Sequence, residues 1–225
     1  MRDITDIIED VVNQMDNTLK ITKVGGNNVY FCDLKWFRLG KAITGEDSQP
    51  YLVDDVNYTA KKLTLSLPFT SPETTVTFDR PYYFHGTPMT TNNEWQAFTN
   101  NEEAKCPFIW LIEPVSEVFN GYESVIERES EVRLLFIDNR DSVNWINDDI
   151  HENRSTALYG MVDEFIATLE RLPNFKRNLQ YSVRNLTKLG TENSNGFERN
   201  IISADLTALD VRITLPIYKE SLCNC

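Results

Sequence analysis

The final stretch, residues 206–225, reads LTALDVRITLPIYKESLCNC. Leu209, Val211, Ile213, Leu215 and Ile217 fall on every second position, with Asp210, Arg212 and Thr214 between them. Successive strand side chains point to opposite faces, so this spacing predicts a strand with one face buried and one wet. Pro216 cannot donate to a ladder, which predicts an edge strand or the last rung before a turn. The C-terminal segment therefore closes a sheet.

The opposite end is helical. Ile4, Ile7, Ile8, Val11, Val12, Met15 and Leu19 share one helical face, and Asp3, Asp6, Glu9 and Asp10 load the positive N-terminus with negative charge, predicting a helix over 3–18. Two strands at 20–24 and 29–34 flank GGNN at 25–28, and Gly and Asn tolerate the positive φ of a hairpin turn. From 35 to 98 the pattern loosens. Residues 62–67 and 74–78 alternate as strands, with Pro68 and Pro72 between them, and a short helix is expected near 94–98. Residues 107–112 (PFIWLI) and 131–137 (EVRLLFI) read as buried strands, and the stretch 116–126 between them as a loop. Leu158, Met161, Val162, Phe165, Ile166, Leu169 and Leu172 then mark a second helix, capped by Ser155 or Thr156 and ended by Pro173. A helical turn is expected at 142–149. Residues 179–189 form a strand, followed by a polar loop through Gly196 and the final strand.

Stripped of its looser middle, the order is helix, strands, helix, strands, which predicts an α+β fold: an antiparallel sheet flanked by two helices, with a β-rich insertion. The core domain would comprise 1–34 and 99–225, and the insertion 35–98. With 225 residues, 41% hydrophobic and 11% aromatic, the chain can fill a core. Its net charge of −12 argues against gripping a phosphate backbone. No signal-like segment or membrane-length apolar run stands at the start, so synthesis in a reducing cytoplasm is expected. Four cysteines, Cys32, Cys106, Cys223 and Cys225, are too sparse for a disulfide scaffold, and the Asn-x-Ser/Thr sites at Asn57, Asn153 and Asn185 carry no meaning without secretion.

Chemistry-bearing motifs are few. His85 lies in a turn-rich stretch. His151 sits among Asp148, Asp149 and Glu152, which reads as a metal ligand or a steadied general base, or as a solvated helix-start cluster; the second histidine of a zinc helix is missing. Cys223-x-Cys225 has no second pair to complete a zinc site and reads as two free thiols or an intersubunit contact. The stretch 138–144 (DNRDSVN) lacks the glycine and closing glutamate of a calcium loop. Phosphate-loop, dinucleotide and nucleophile-elbow patterns are absent from the sequence. Trp36, Phe37, Tyr82, Tyr83, Phe84 and Trp110 could stack on a ligand, but without basic interleaving they read as core or interface. These readings leave the catalytic, cofactor and metal sets empty.

The words LTALDVRITLPIYKESLCNC, STALYGMVDEFIATLERLP and FHGTPMTTNNEW together resemble structural proteins of tailed bacteriophages infecting gut Bacteroidetes, of the crAss-like group. The resemblance implies a tail-terminator-like core over most of 107–218 plus the first helix, with 35–98 as an elaboration. It carries over no individual functional residue. It implies a non-enzymatic virion protein of the neck or tail region, assembled in the host cytoplasm. Its partners would be copies of itself, in a ring of about six or twelve, together with the portal and other neck or tail proteins. DNA would pass through the ring without specific binding, and no membrane is involved. The acidic balance suits a channel wall. Two other readings stand beside it: a monomeric binding module using the aromatics, and a metal-dependent hydrolase in which His151 and its carboxylates converge with His85.

Overall fold

The computed structural model describes residues 3–45, 49–70, 74–91, 93, 106–120, 126–139, 156–173, 175, 179–189, 191–194, 197–200 and 206–218. Helix α1 (Ile4–Gln14) is followed by strands β1 (Thr18–Gly25), β2 (Asn28–Phe31), β3 (Ala42–Thr44), β4 (Pro50–Asn57), β5 (Lys62–Leu65), β6 (Thr75–Phe78), β7 (Tyr82–Gly86), β8 (Phe108–Ile112), β9 (Ser116–Phe119) and β10 (Ile126–Asn139). Helix α2 (Thr156–Arg171) precedes β11 (Tyr181–Leu189), β12 (Thr191–Ser194), β13 (Phe197–Asn200) and β14 (Leu206–Tyr218). The chain divides into two compact units, one of residues 15–80 and 141–164, the other of 1–14, 81–140 and 165–225.

The first unit is a closed antiparallel barrel in the order β1-β2-β5-β4-β3-β6. The hairpin expected at 25–28 is present: Gly25 pairs Asn28, and Gly26 takes a φ of 66°. Register shifts at Ile21/Lys23 and Val53/Asp55 bend β1 and β4, the device that lets a short sheet curl. Closure comes from Leu19 pairing Val76 across β1 and β6. Leu19, Val29, Ile43, Leu63 and Val76 are buried, and Phe78 meets both Trp36 (5.0 Å between ring centroids) and Phe37 (5.5 Å). A barrel this small is filled by its own side chains. The first half of α2 belongs to this unit, where Glu164 accepts from the Asp16 backbone N–H.

The second unit is an open sheet in the order β11-β14-β10-β8-β7, with β9 lying beside β10 next to β8. Its spine is the pair β10–β14, in register from Arg128 opposite Ile217 to Asn139 opposite Leu206. On one face Val132, Leu134, Phe136, Leu209, Val211 and Ile213 are buried, and Phe165 of α2 packs edge-on against Phe136 at 5.4 Å. α1 touches the same face, where the Tyr83 hydroxyl donates to the Thr5 carbonyl. The other face is apolar only at one end, where Phe84, Phe108, Trp110, Leu135, Ile137 and Ala208 form a second core.

The expected α+β architecture is therefore corrected. Among the described residues strands far outnumber helices, and the chain has a closed six-stranded antiparallel barrel and a second sheet, not one sheet flanked by two helices. Four of the six barrel strands were expected as strands, but the closure of the barrel pairs segments far apart in sequence, which no local pattern records. The tail-terminator-like core falls with that correction. Three local readings change as well. The final strand is not at an edge: β14 lies between β10 and β11, and Pro216 sits opposite Glu129 near its end. The supposed loop 116–126 contains β9, and the polar stretch after 189 contains the hairpin β12–β13. The first helix stops at Gln14, so Met15 and Leu19 of the predicted stripe lie beyond it. The helices expected at 94–98 and 142–149 lie outside the described residues.

Candidate assembly surface on the open sheet

Strand pleating decides which β10 and β14 residues face away from the helices. Glu131, Arg133, Asp210, Arg212 and Thr214 do so, and all of these but Asp210 line a groove of about 500 Å³ together with Gln180 and with Tyr181 and Ser182 at the start of β11. Arg133 donates to both oxygens of Asp210, at 2.9 and 3.0 Å, and Arg212 lies 3.5 Å from the same carboxylate. A bidentate pair fixes both side chains in one geometry. The carboxylate is 1% exposed, whereas the side chains of Arg133 and Arg212 are 42% and 60% exposed. The sequence pattern marked Asp210 as a wet residue; it is covered by the two arginines. The groove thus offers guanidinium groups to solvent above an acid already used.

The edges of this sheet differ. β11 forms one edge and, among the described residues, pairs with β14 alone. Ser182, Arg184 and Asn185 on it are exposed, and Tyr181 is 39% exposed. The far side is stepped. β8 and β9 follow one another along β10, and β7 runs beside β8. Among the described residues, β9 pairs with β10 alone. Val118 and Phe119 on β9 are 64% and 53% exposed. Arg128, buried here, lies 3.3 Å from Glu117 and over the Phe119 ring, while Glu129 and Glu131 remain exposed. β9 therefore carries exposed apolar side chains, and Glu131 lies in the same groove as Arg133 and Arg212.

The residues singled out by sequence are scattered. His85 lies on β7 with its Nδ1 2.8 Å from Glu113 and its ring stacked 6.0 Å from Tyr83. Burial pushes the Tyr83 phenol well above its usual range, and Glu9, Glu113, Asp3 and Asp6 add to the shift, so it acts as a hydroxyl donor. His151, Asp148, Asp149, Glu152, Cys223 and Cys225 lie outside the described residues. Trp36, Phe37, Phe84 and Trp110 are buried, and the Trp110 indole donates to the Gly86 carbonyl. Asp138, which opens the calcium-like stretch, is buried within β10 opposite Thr207. The most exposed apolar residues of the sheet, Val118 and Phe119, gave no signal: four residues are too few to show a period.

Compared with known proteins, the chain matches no protein-family model and no curated protein.

Proposed function

We propose that this chain is a structural subunit that assembles with copies of itself, and that the head–tail connector of a tailed phage, to which its sequence words point, is the setting. The observation that carries the reading is the second sheet, which among the described residues ends in two unlike edges. A free edge presents unpaired backbone donors and acceptors and is a template for another chain. When the two edges differ, association is head-to-tail, and a head-to-tail contact closes into a ring if its rotation permits. The closed barrel has no such edges, so it acts as a rigid body carried by each copy. In the connector setting, the portal and neighbouring neck or tail proteins meet the faces of such a ring, and its acidic surface lets DNA pass without being held.

The test is the native mass of the full chain, alone and mixed with a phage portal ring. A discrete species of many copies, or recruitment to the portal, supports the reading. A single copy under both conditions sinks it.

A further inference from the structure

Resting on that reading, we infer that copies hold one another through charge as well: the exposed acidic face of α1 in one copy docks on a lysine face of the barrel in the next. The occupant is a second copy of this chain, and three observations converge on it.

The first is the lysine face. β1, β2 and β5 are neighbours in the barrel and carry Lys20, Lys23 and Lys62 and no acid. Lys23 pairs Tyr30, and Tyr30 pairs Lys62, so these three form one row across the strands. Val29, Leu63 and Leu65, on the alternate positions, are buried, so the row lies on the outer surface. The Lys23 ammonium stands 5.7 Å over the Tyr30 ring, and among the described residues Lys20, Lys23 and Lys62 have no ion-pair partner. Lys61, just before β5, donates to the Cys32 carbonyl and adds a fourth charge. Acids stand only at the borders: Asp16, paired with Lys35, Asp33, which accepts from the Lys35 backbone N–H, and Asp54 and Asp55 on β4.

The second is the acidic face. Residues 3–14 hold Asp3, Asp6, Glu9 and Asp10 and no base. Asp3, Asp6 and Glu9 are exposed and recur every third residue, so they share one stripe of the helix, and their fields add at the Tyr83 phenol. The bases that act on Asp3, Arg128 and His85, lie beside Glu117 and Glu113. The third is fit. Lys23 and Lys62 stand two strands apart, about 10 Å, and Asp3 and Glu9 are six helical residues apart, about 9 Å. α1 laid across the strands brings both ends of its stripe over a lysine, with Tyr30 between them as the aromatic anchor. Residues 15–80, which hold all six barrel strands, carry eight basic and eight acidic side chains, so the whole net charge of −12 lies outside them. Acidic copies repel unless a basic patch of one meets an acidic patch of the other, and the barrel supplies that patch. The two faces are unlike, so the contact is head-to-tail.

The experiment reverses each face in the full chain and reads native mass, alone and with a phage portal ring. Lys23→Glu with Lys62→Glu is one variant, and Asp6→Lys with Glu9→Lys the other; circular dichroism checks that both fold. Each by itself is expected to weaken association several-fold at the concentration where the parent is half assembled. An equimolar mixture restores it, because the reversed barrel face of one variant meets the reversed helix of the other. If a reversal does not fold, Lys23→Gln with Lys62→Gln and Asp6→Asn with Glu9→Gln take its place, and each neutral pair is expected to weaken association. If the parent associates and the variants leave its mass unchanged, or the mixture of folded reversals does not recover, this contact is wrong and the assembly reading stands. If the lysine variant loses binding to a labelled single-stranded oligothymidylate while its native mass is unchanged, the face serves nucleic acid and the inference also fails. If the parent remains a single copy under both conditions, both fall together.

Discussion

Removing the Asp210 carboxylate deprives Arg133 of both its hydrogen-bond acceptors on the outer face of β14. Because the acid is buried and the arginine only half so, Asp210→Ala is expected to cost about 1–3 kcal/mol, measured as a lowered urea midpoint. Arg212→Ala, at the exposed rim of the same cluster, should cost under about 1 kcal/mol. Asp16 gives a pH prediction. Burial raises its carboxyl, but hydrogen bonds from Lys35 and from the Thr18 hydroxyl and backbone outweigh that and hold it at about 2, against the usual 3.8. A depressed folded-state value contributes stability that is present above the unfolded value and lost as pH falls through the folded one. Asp16→Asn should therefore be less stable than the parent at neutral pH. The difference should shrink from about pH 4 downward and vanish near pH 2 in acid-unfolding curves. The side chain is 48% exposed, so solvent screening keeps the effect small.

In α2, Gly160 shows how an element's neighbours override its propensities. In an exposed helix, replacing Gly by Ala gains up to about 1 kcal/mol. Here a Cβ would stand 2.7 Å from the Lys35 carbonyl oxygen, and Lys35 itself holds a φ of 49°. Backbone cannot give way as a side chain end can, so Gly160→Ala is expected to destabilise by about 1–3 kcal/mol, seen in thermal and urea unfolding. The stripe of Leu158, Met161, Val162, Phe165 and Leu169 was legible because a helix writes its buried face into consecutive turns. The β10 and β14 strands were legible for the same reason at period two. β3, β9, β12 and β13 were not: they are three or four residues long and lack the apolar alternation that made β5 and β6, equally short, legible.

At the scale of the whole molecule, the prediction concerns association. A contact between copies that is carried by ion pairs weakens as salt screens it. If ion pairs carry the contact, raising ionic strength from low to molar shifts the native mass toward the single copy, whereas a contact carried by exposed apolar side chains such as Val118 and Phe119 is indifferent or strengthened. The same measurement separates the two contributions. Among the described residues, the amino-acid order by itself determined where the long helix and the long strands run, which of their faces are apolar and where the first hairpin turns. Those features are set by interactions within a few residues, and side-chain periodicity records them. Only the tertiary structure decided that six segments close into a barrel, that β14 lies inside its sheet and that Asp210 is covered by arginines. Each depends on register between strands tens of residues apart, as in Leu19 against Val76 or Arg133 against Arg212, and nothing local in a sequence encodes which distant edge a strand will meet.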